Sequence, residues 1–180
     1  MKTALLLANG FEEIEALTPL DVLRRAGVTV DTVGIGTKTV IGAHNIPVIA
    51  DITDIEADAN AYDCVIFPGG MPGATNLDSA EFTDKIIDAV IKKGGRLAAI
   101  CAAPLVLGRR GLLKGKNATC YPGFENELIG AIISPLGVVT DGNITTAKGM
   151  GVALAFAKEL TALLVSPEVS NKISSSIMEQ

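Results

Sequence analysis

The stretch Arg96-Leu97-Ala98-Ala99-Ile100-Cys101-Ala102-Ala103-Pro104-Leu105-Val106-Leu107 decides the fold. Leu97 to Ile100 are apolar without alternation, the pattern of a strand covered on both faces. The run stops at a single thiol. Ala102 and Ala103 have almost no side chain to hide it, and Pro104 suits the first turn of a helix, where a missing N–H costs nothing. Cys101 therefore lies between a strand end and the free N–H groups of the following helix. Those dipoles favour an anion and predict a thiol pKa below the reference of about 8.5.

Working outward, the same alternation continues in both directions. Thr3 to Ala8 reads as a first buried strand, closed by Asn9-Gly10. Glu12, Glu13 and Glu15 then lead a helix that runs to Arg24-Arg25-Ala26-Gly27, with Gly27 as its stop. Pro19 leaves two alternatives: a kinked helix from about Glu12, or a shorter one capped by Thr18. Val28 to Ile35 is a second strand, and Thr39 to Ile41 with Ile46 to Ala50 form a small hairpin. Asp51 to Ala61 reads as an acidic loop with a short helical turn. Asp63 to Phe67 is another buried strand, ending in Pro68-Gly69-Gly70-Met71-Pro72-Gly73, where glycines let backbone N–H groups face a ligand.

Ser79 to Lys93 is a helix stopped by Gly94-Gly95. Beyond the Cys101 helix come a short strand at Ala118 to Cys120, a short helix from Glu125 to Ala131, and a hairpin around Asp141-Gly142-Asn143. Gly149-Met150-Gly151 opens a long apolar helix to Leu164, and Ser166-Pro167 starts a last one. Strands alternating with helices predict a single α/β domain over residues 1–180, a mainly parallel sheet with helices on both faces. Ligands in such sheets bind beyond the carboxyl ends of the strands. Glu15, Gly69, Gly70 and Cys101 all sit at such ends.

The bulk numbers narrow the function classes. With 48% hydrophobic and 19% charged residues, the chain is globular and well cored. A net charge of -5 with scattered basic residues argues against nucleic acid, and no apolar run is long enough for a membrane span. Three cysteines at unrelated spacings fit a reducing, cytoplasmic setting. His44 is the only histidine, so a zinc site would lack ligands and no metal is expected. Locally, Cys64 and Cys120 read as core, His44 as a loop residue without a visible partner, and Glu12 and Glu13 as charges complementing the helix dipole. Gly34-x-Gly36 invites a nucleotide- or flavin-binding reading, but no third glycine follows at the fingerprint spacing and no helix opens there.

The run Ala8-Asn9-Gly10-Phe11-Glu12-Glu13-Ile14-Glu15, the Pro68-Gly69-Gly70 turn and Ala98-Ala99-Ile100-Cys101-Ala102-Ala103-Pro104 together resemble the PfpI/ThiJ superfamily, in its parkinsonism-associated deglycase branch. The likeness extends over nearly the whole chain. It implies a flavodoxin-like three-layer sandwich, a homodimer, and Cys101 at a strained nucleophile elbow. It further implies that Glu15 is held protonated and donates to the thiolate, with the Gly70 and Ala102 N–H groups forming an anion pocket.

Two positions depart from the pattern. Tyr121 stands where relatives often have a histidine, and Lys148 where they have an arginine. Arg25 and His44 match positions near the dimer contact close to the thiol.

The expected activity is cofactor-free, cysteine-dependent chemistry on small reactive aldehydes, of glyoxalase III or deglycase type, with Tyr121, Gly69, Arg25 and His44 as surrounding residues. The alternative is an oxidative-stress sensor or chaperone in which Cys101 becomes a sulfinate. A cysteine peptidase fits less well, because the sole histidine lies in a loop.

Overall fold

The computed structural model of the chain describes residues 1–179. In chain order its strands and helices are β1 (Lys2–Leu7), α1 (Glu13–Arg25), β2 (Thr29–Gly34), β3 (Thr39–Ile41), β4 (Pro47–Ile49), β5 (Ile52–Thr53), β6 (Cys64–Phe67) and α2 (Gly73–Asp78). Then follow α3 (Glu81–Lys92), β7 (Arg96–Ile100), α4 (Pro104–Arg109), β8 (Asn117–Ala118), β9 (Ile132–Ile133), β10 (Val138–Asp141), β11 (Ile144–Ala147), α5 (Ala153–Leu164) and α6 (Pro167–Ser176).

Seven strands form one sheet in the order β10-β11-β7-β6-β1-β2-β5, parallel throughout except for β10 against β11. The two central strands, β6 and β1, are apolar and buried along almost their whole length, because helices cover both faces. Alternate residues feed opposite layers. Leu6, Val65 and Ala99 pack with Leu77, Ile86 and Val106 of α2, α3 and α4, whereas Leu5, Ile66 and Ala98 pack with Ala16, Leu23, Phe156 and Leu160 of α1 and α5. Helix α6 lies outside the second layer, where Ile173 meets Val22 and Ala157. The expected three-layer α/β architecture is the one observed.

The differences are local. Helix α1 is unbroken from Glu13 to Arg25 with Pro19 inside it, so the longer of the two alternatives holds. Its first layer of packing against α5 outweighs the hydrogen bond that proline cannot donate. The segment Asp51 to Ala61 is not only loop: Ile52 and Thr53 pair with β2 as an edge strand. The helix expected from Ser79 begins at Glu81, and a separate short helix, α2, precedes it. Glu125 to Ala131 forms only one helical turn at Glu125–Glu127 before β9 pairs with β8. The last-but-one helix opens at Ala153, after a single tight turn at Met150–Val152.

Candidate active site

The carboxyl ends of β1, β6, β7 and β11 bring four loops to one place. The loop after β1 is stitched to the loop after β6, since Glu12 N–H donates to the Gly69 carbonyl at 2.9 Å and Gly73 N–H to the Gly10 carbonyl at 3.2 Å. Gly70, at φ +84, needs to be a glycine, because a Cβ there would collide with the Gly10 and Phe11 backbone.

Cys101 follows β7 directly. Its φ of 65° lies in the left-handed region, rare for a residue with a side chain. The backbone is held there from both sides. Cys101 N–H donates to the Ala147 carbonyl at 2.9 Å, continuing the β11 ladder, and its carbonyl accepts from Tyr121 N–H at 2.8 Å. The sulfur is thereby turned out of the strand, half-buried, toward the N–H groups of Gly70 and Ala102, which favour its charged form.

Glu15 lies in the first turn of α1 and is 1% exposed. Its Oε2 accepts from Gly69 N–H at 3.0 Å, and its carboxyl faces the Cys101 thiol and the Met150 backbone N–H, both of which favour its charged form. Burial raises the Glu15 pKa to about 7. Burial also pushes the Cys101 thiol up to about 12, with the Glu15 charge adding to the rise and the Gly70 and Ala102 N–H groups opposing it. The expectation of a thiol depressed below its ordinary value is therefore corrected. Helix α4 starts three residues beyond the sulfur, and desolvation with a neighbouring carboxylate outweighs its dipole. Glu15 and Cys101 titrate as a pair, losing one proton near neutrality and keeping the second to high pH.

Two further residues line this site. Tyr121 is half-exposed, with its backbone tied to Cys101. Gly149, buried beside Met150, is a residue that motif reading treats only as helix punctuation. A Cβ built on it would sit 3.3 Å from Tyr121 Cδ2, 3.7 Å from Glu15 Oε1 and 3.9 Å from Cys101 Sγ. No local signal marks Gly149, because its neighbours come from α1, the end of β7 and the segment after β8.

Cys101, Glu15, Gly69, Gly70, Ala102 and Tyr121 are thus brought together, whereas Arg25 and His44 are not. Arg25 is exposed and pairs with Asp21 at 2.7 Å. His44 has a partner after all. Its Nδ1 lies 2.9 Å from Glu13 Oε2, and its backbone N–H donates to Glu13 Oε1 at 2.8 Å. Glu13, almost fully buried, therefore anchors the β3–β4 hairpin instead of only complementing the helix dipole. Its hydrogen bonds from His44 overcome burial and hold its pKa below the usual value. Glu12, Glu13 and His44 place ligand-type atoms within 4.8 Å of one another, a grouping that does not include Cys101. Cys64 is fully buried and Cys120 nearly so.

The sequence model of the DJ-1/PfpI family matches residues 1–163. The chain belongs to the DJ-1/PfpI family. The glutathione-independent glyoxalase DJR-1.2 of Caenorhabditis elegans is 31% identical over 96% of this chain and 94% of its own length. The deglycase PH1704 of Pyrococcus horikoshii is 30% identical over 91% of this chain and 99% of its own. Among solved structures, a mutant of the DJ-1 superfamily protein STM1931 from Salmonella typhimurium superposes with a TM-score of 0.93 at 34% identity, covering 99% of this chain and 98% of that one. Among the described residues of this DJ-1/PfpI member, no helix is long and apolar enough to cross a membrane.

Proposed function

We propose that the chain is a cofactor-free thiol enzyme acting on small 2-oxoaldehydes, with Cys101 as nucleophile and Glu15 as proton carrier. The observation that carries this reading is a carboxyl, 1% exposed and held by Gly69 N–H, packed beside a thiol at the open end of the sheet, where burial raises its pKa to about 7. Two relatives named as a glyoxalase and a deglycase support an enzyme of this kind.

Between the two titrations the pair holds one proton and one negative charge. The sulfur bonds to the aldehyde carbon, the carbonyl electrons pass to oxygen, and Glu15 supplies that oxygen with the proton. Gly70 and Ala102 N–H groups stabilise the charge as it moves from sulfur. Glu15, now a carboxylate, removes the hydrogen from the former aldehyde carbon, and the electron pair shifts toward the neighbouring ketone. The hydroxyl proton passes from the first oxygen to the second, and the proton held by Glu15 returns to the second carbon. The first carbon is thereby oxidised to a thioester and the second reduced to an alcohol. Water cleaves the thioester, releasing a 2-hydroxy acid and restoring the thiol.

Since the pair must carry its single charge to begin, kcat/KM for methylglyoxal rises with pH through an apparent pKa near 7. Lactate production by the purified protein across pH 5–9 tests this. A flat profile, or turnover that survives Cys101→Ser, sinks the reading.

The same proposal takes the chain as a cytoplasmic homodimer. Ile14, Leu17 and Ile46 are exposed around a cavity of about 700 Å³ that also reaches Arg25, an apolar face suited to a second copy. Sedimentation at micromolar concentration checks it.

A further inference from the structure

Three carboxyls crowd the start of α1. Glu13 is bound to His44 and Glu15 enters the pocket, but Glu12 has neither role. It is the N-cap residue of α1, yet its side chain makes no cap hydrogen bond. Only 15% of that side chain is exposed, and among the described residues its carboxylate has one partner at ion-pair distance, His44 Nδ1 at 3.6 Å. A largely buried carboxylate without a hydrogen-bond donor is costly to keep, so capping does not account for its charge. The backbone ties it to the pocket. Glu12 N–H donates to the Gly69 carbonyl at 2.9 Å, and Gly69 N–H donates to Glu15 Oε2 at 3.0 Å, so a single residue joins the two acids.

We propose that Glu12 is a positioning residue for the Glu15 proton: its carboxylate keeps that proton in place up to neutral pH, and His44 grades the effect. This rests on the reading of Glu15 as proton carrier and adds what tunes it. A second negative charge beside Glu15 disfavours its ionisation, adding to what burial does first. The other ionisable groups around Glu15 are the Cys101 thiol at the end of β7 and the Tyr121 phenol after β8. Lys148, on the loop after β11, turns its Nζ to the Pro135 carbonyl at 2.7 Å. The cation that meets the α1 acids is His44 of the β3–β4 hairpin, whose ring is favoured in its protonated form by Glu13 and then Glu12. Protonated His44 offsets part of the Glu12 charge, and Glu15 then releases its proton more readily. Neutral His44 leaves Glu12 to act in full.

The rate of Cys101 alkylation by iodoacetamide across pH 5–9, followed by mass spectrometry, reads the first titration of the Glu15–Cys101 pair and needs no turnover. The wild-type midpoint is expected at about 7. Glu12→Gln keeps the shape of the side chain and the backbone bond to Gly69, and lowers the midpoint by about 0.5 to 1. Glu12→Asp retains the charge and stays within about 0.3 of wild type. His44→Asn keeps the backbone N–H that Glu13 accepts, removes the offsetting charge and raises the midpoint by about 0.3. The pH profile of kcat/KM for methylglyoxal moves in the same sense in each variant.

If the wild type turns over no dicarbonyl but the alkylation midpoint still falls in Glu12→Gln, the role of Glu12 stands and the enzymatic reading falls. A midpoint unmoved in Glu12→Gln overturns the proposal whether or not the rates drop, because a residue that only holds the loop slows alkylation equally at every pH. A midpoint that does not rise in His44→Asn overturns it as well. So does a wild-type profile without a midpoint near neutrality, since Glu12 would then have no proton to hold.

Discussion

Glu13 and Glu15 are two residues apart on the same helical turn, and their surroundings drive them in opposite directions. At 100° per residue their side chains leave α1 on opposite sides. Glu13 meets the β3–β4 hairpin, accepts both the backbone N–H and the ring of His44, and keeps its charge. Glu15 enters the pocket beside Cys101, where desolvation outweighs two backbone N–H donors and raises its pKa to about 7. Both are buried. The number and kind of donors decide which one ties structure together and which one can exchange a proton near neutral pH.

The largest expected effect on this contrast comes from the pocket. Cys101→Ser lowers methylglyoxal turnover by about a thousandfold or more, and Glu15→Gln by about a hundred- to ten-thousandfold, the range for loss of a general acid–base group. Glu13→Gln leaves kcat within about threefold, because Glu13 has no contact with the sulfur. Steady-state assays of the three variants side by side measure this. Comparable losses at both glutamates erase the distinction.

Stability separates the two carboxyls next. Glu15 binds its proton more tightly folded than unfolded, with a pKa of about 7 against 4.5. Stability therefore falls as pH rises from 4.5 to about 7 and is level above, a loss of about 3 kcal/mol. Glu15→Gln removes that loss. It should raise the urea midpoint at pH 8 and leave it nearly unchanged at pH 4.5, while abolishing activity.

Glu13 is shifted downward instead, so its contribution is complete above about pH 4.5 and is lost as the pH falls further. Glu13→Ala strips the acceptor from the hairpin at a cost of about 1–3 kcal/mol at pH 7, seen as faster amide exchange at His44. The smallest effect is spectroscopic. The His44 ring titrates above its ordinary value because Glu13 and then Glu12 favour its protonated form. Glu13→Gln brings the NMR titration back toward about 6.5.

This pair also shows what the chain reveals before it folds. Cys101 is legible because an unbroken apolar run, two alanines and a proline form a local strand-to-helix signal. Strand β1, the Gly69-Gly70 turn and the Asp141-Gly142-Asn143 hairpin are legible for similar local reasons. Glu13 and Glu15 look alike in sequence, since what separates them is the company of residues 44, 69 and 101. A resemblance to known motifs singles out Glu15, and nothing local marks the partnership of Glu13 with His44.

Strand β5 is hidden because Ile52 and Thr53 are only two residues, flanked by acids, and become a strand through the β2 edge. The short α2 is rich in Gly, Thr and Asn and owes its existence to Ala74 and Leu77 packing on the sheet. The thiol's raised pKa is hidden for the same reason. A helix dipole can be read along a chain, whereas burial against a carboxylate from another element cannot.

The left-handed backbone at Cys101 has an evolutionary edge to it. Any residue with a Cβ at that φ carries an energetic burden of about 1–2 kcal/mol, and glycine would shed it. A library screened for heat tolerance alone should thus fill position 101 with glycine, while one screened for dicarbonyl resistance should keep the sulfur and its burden.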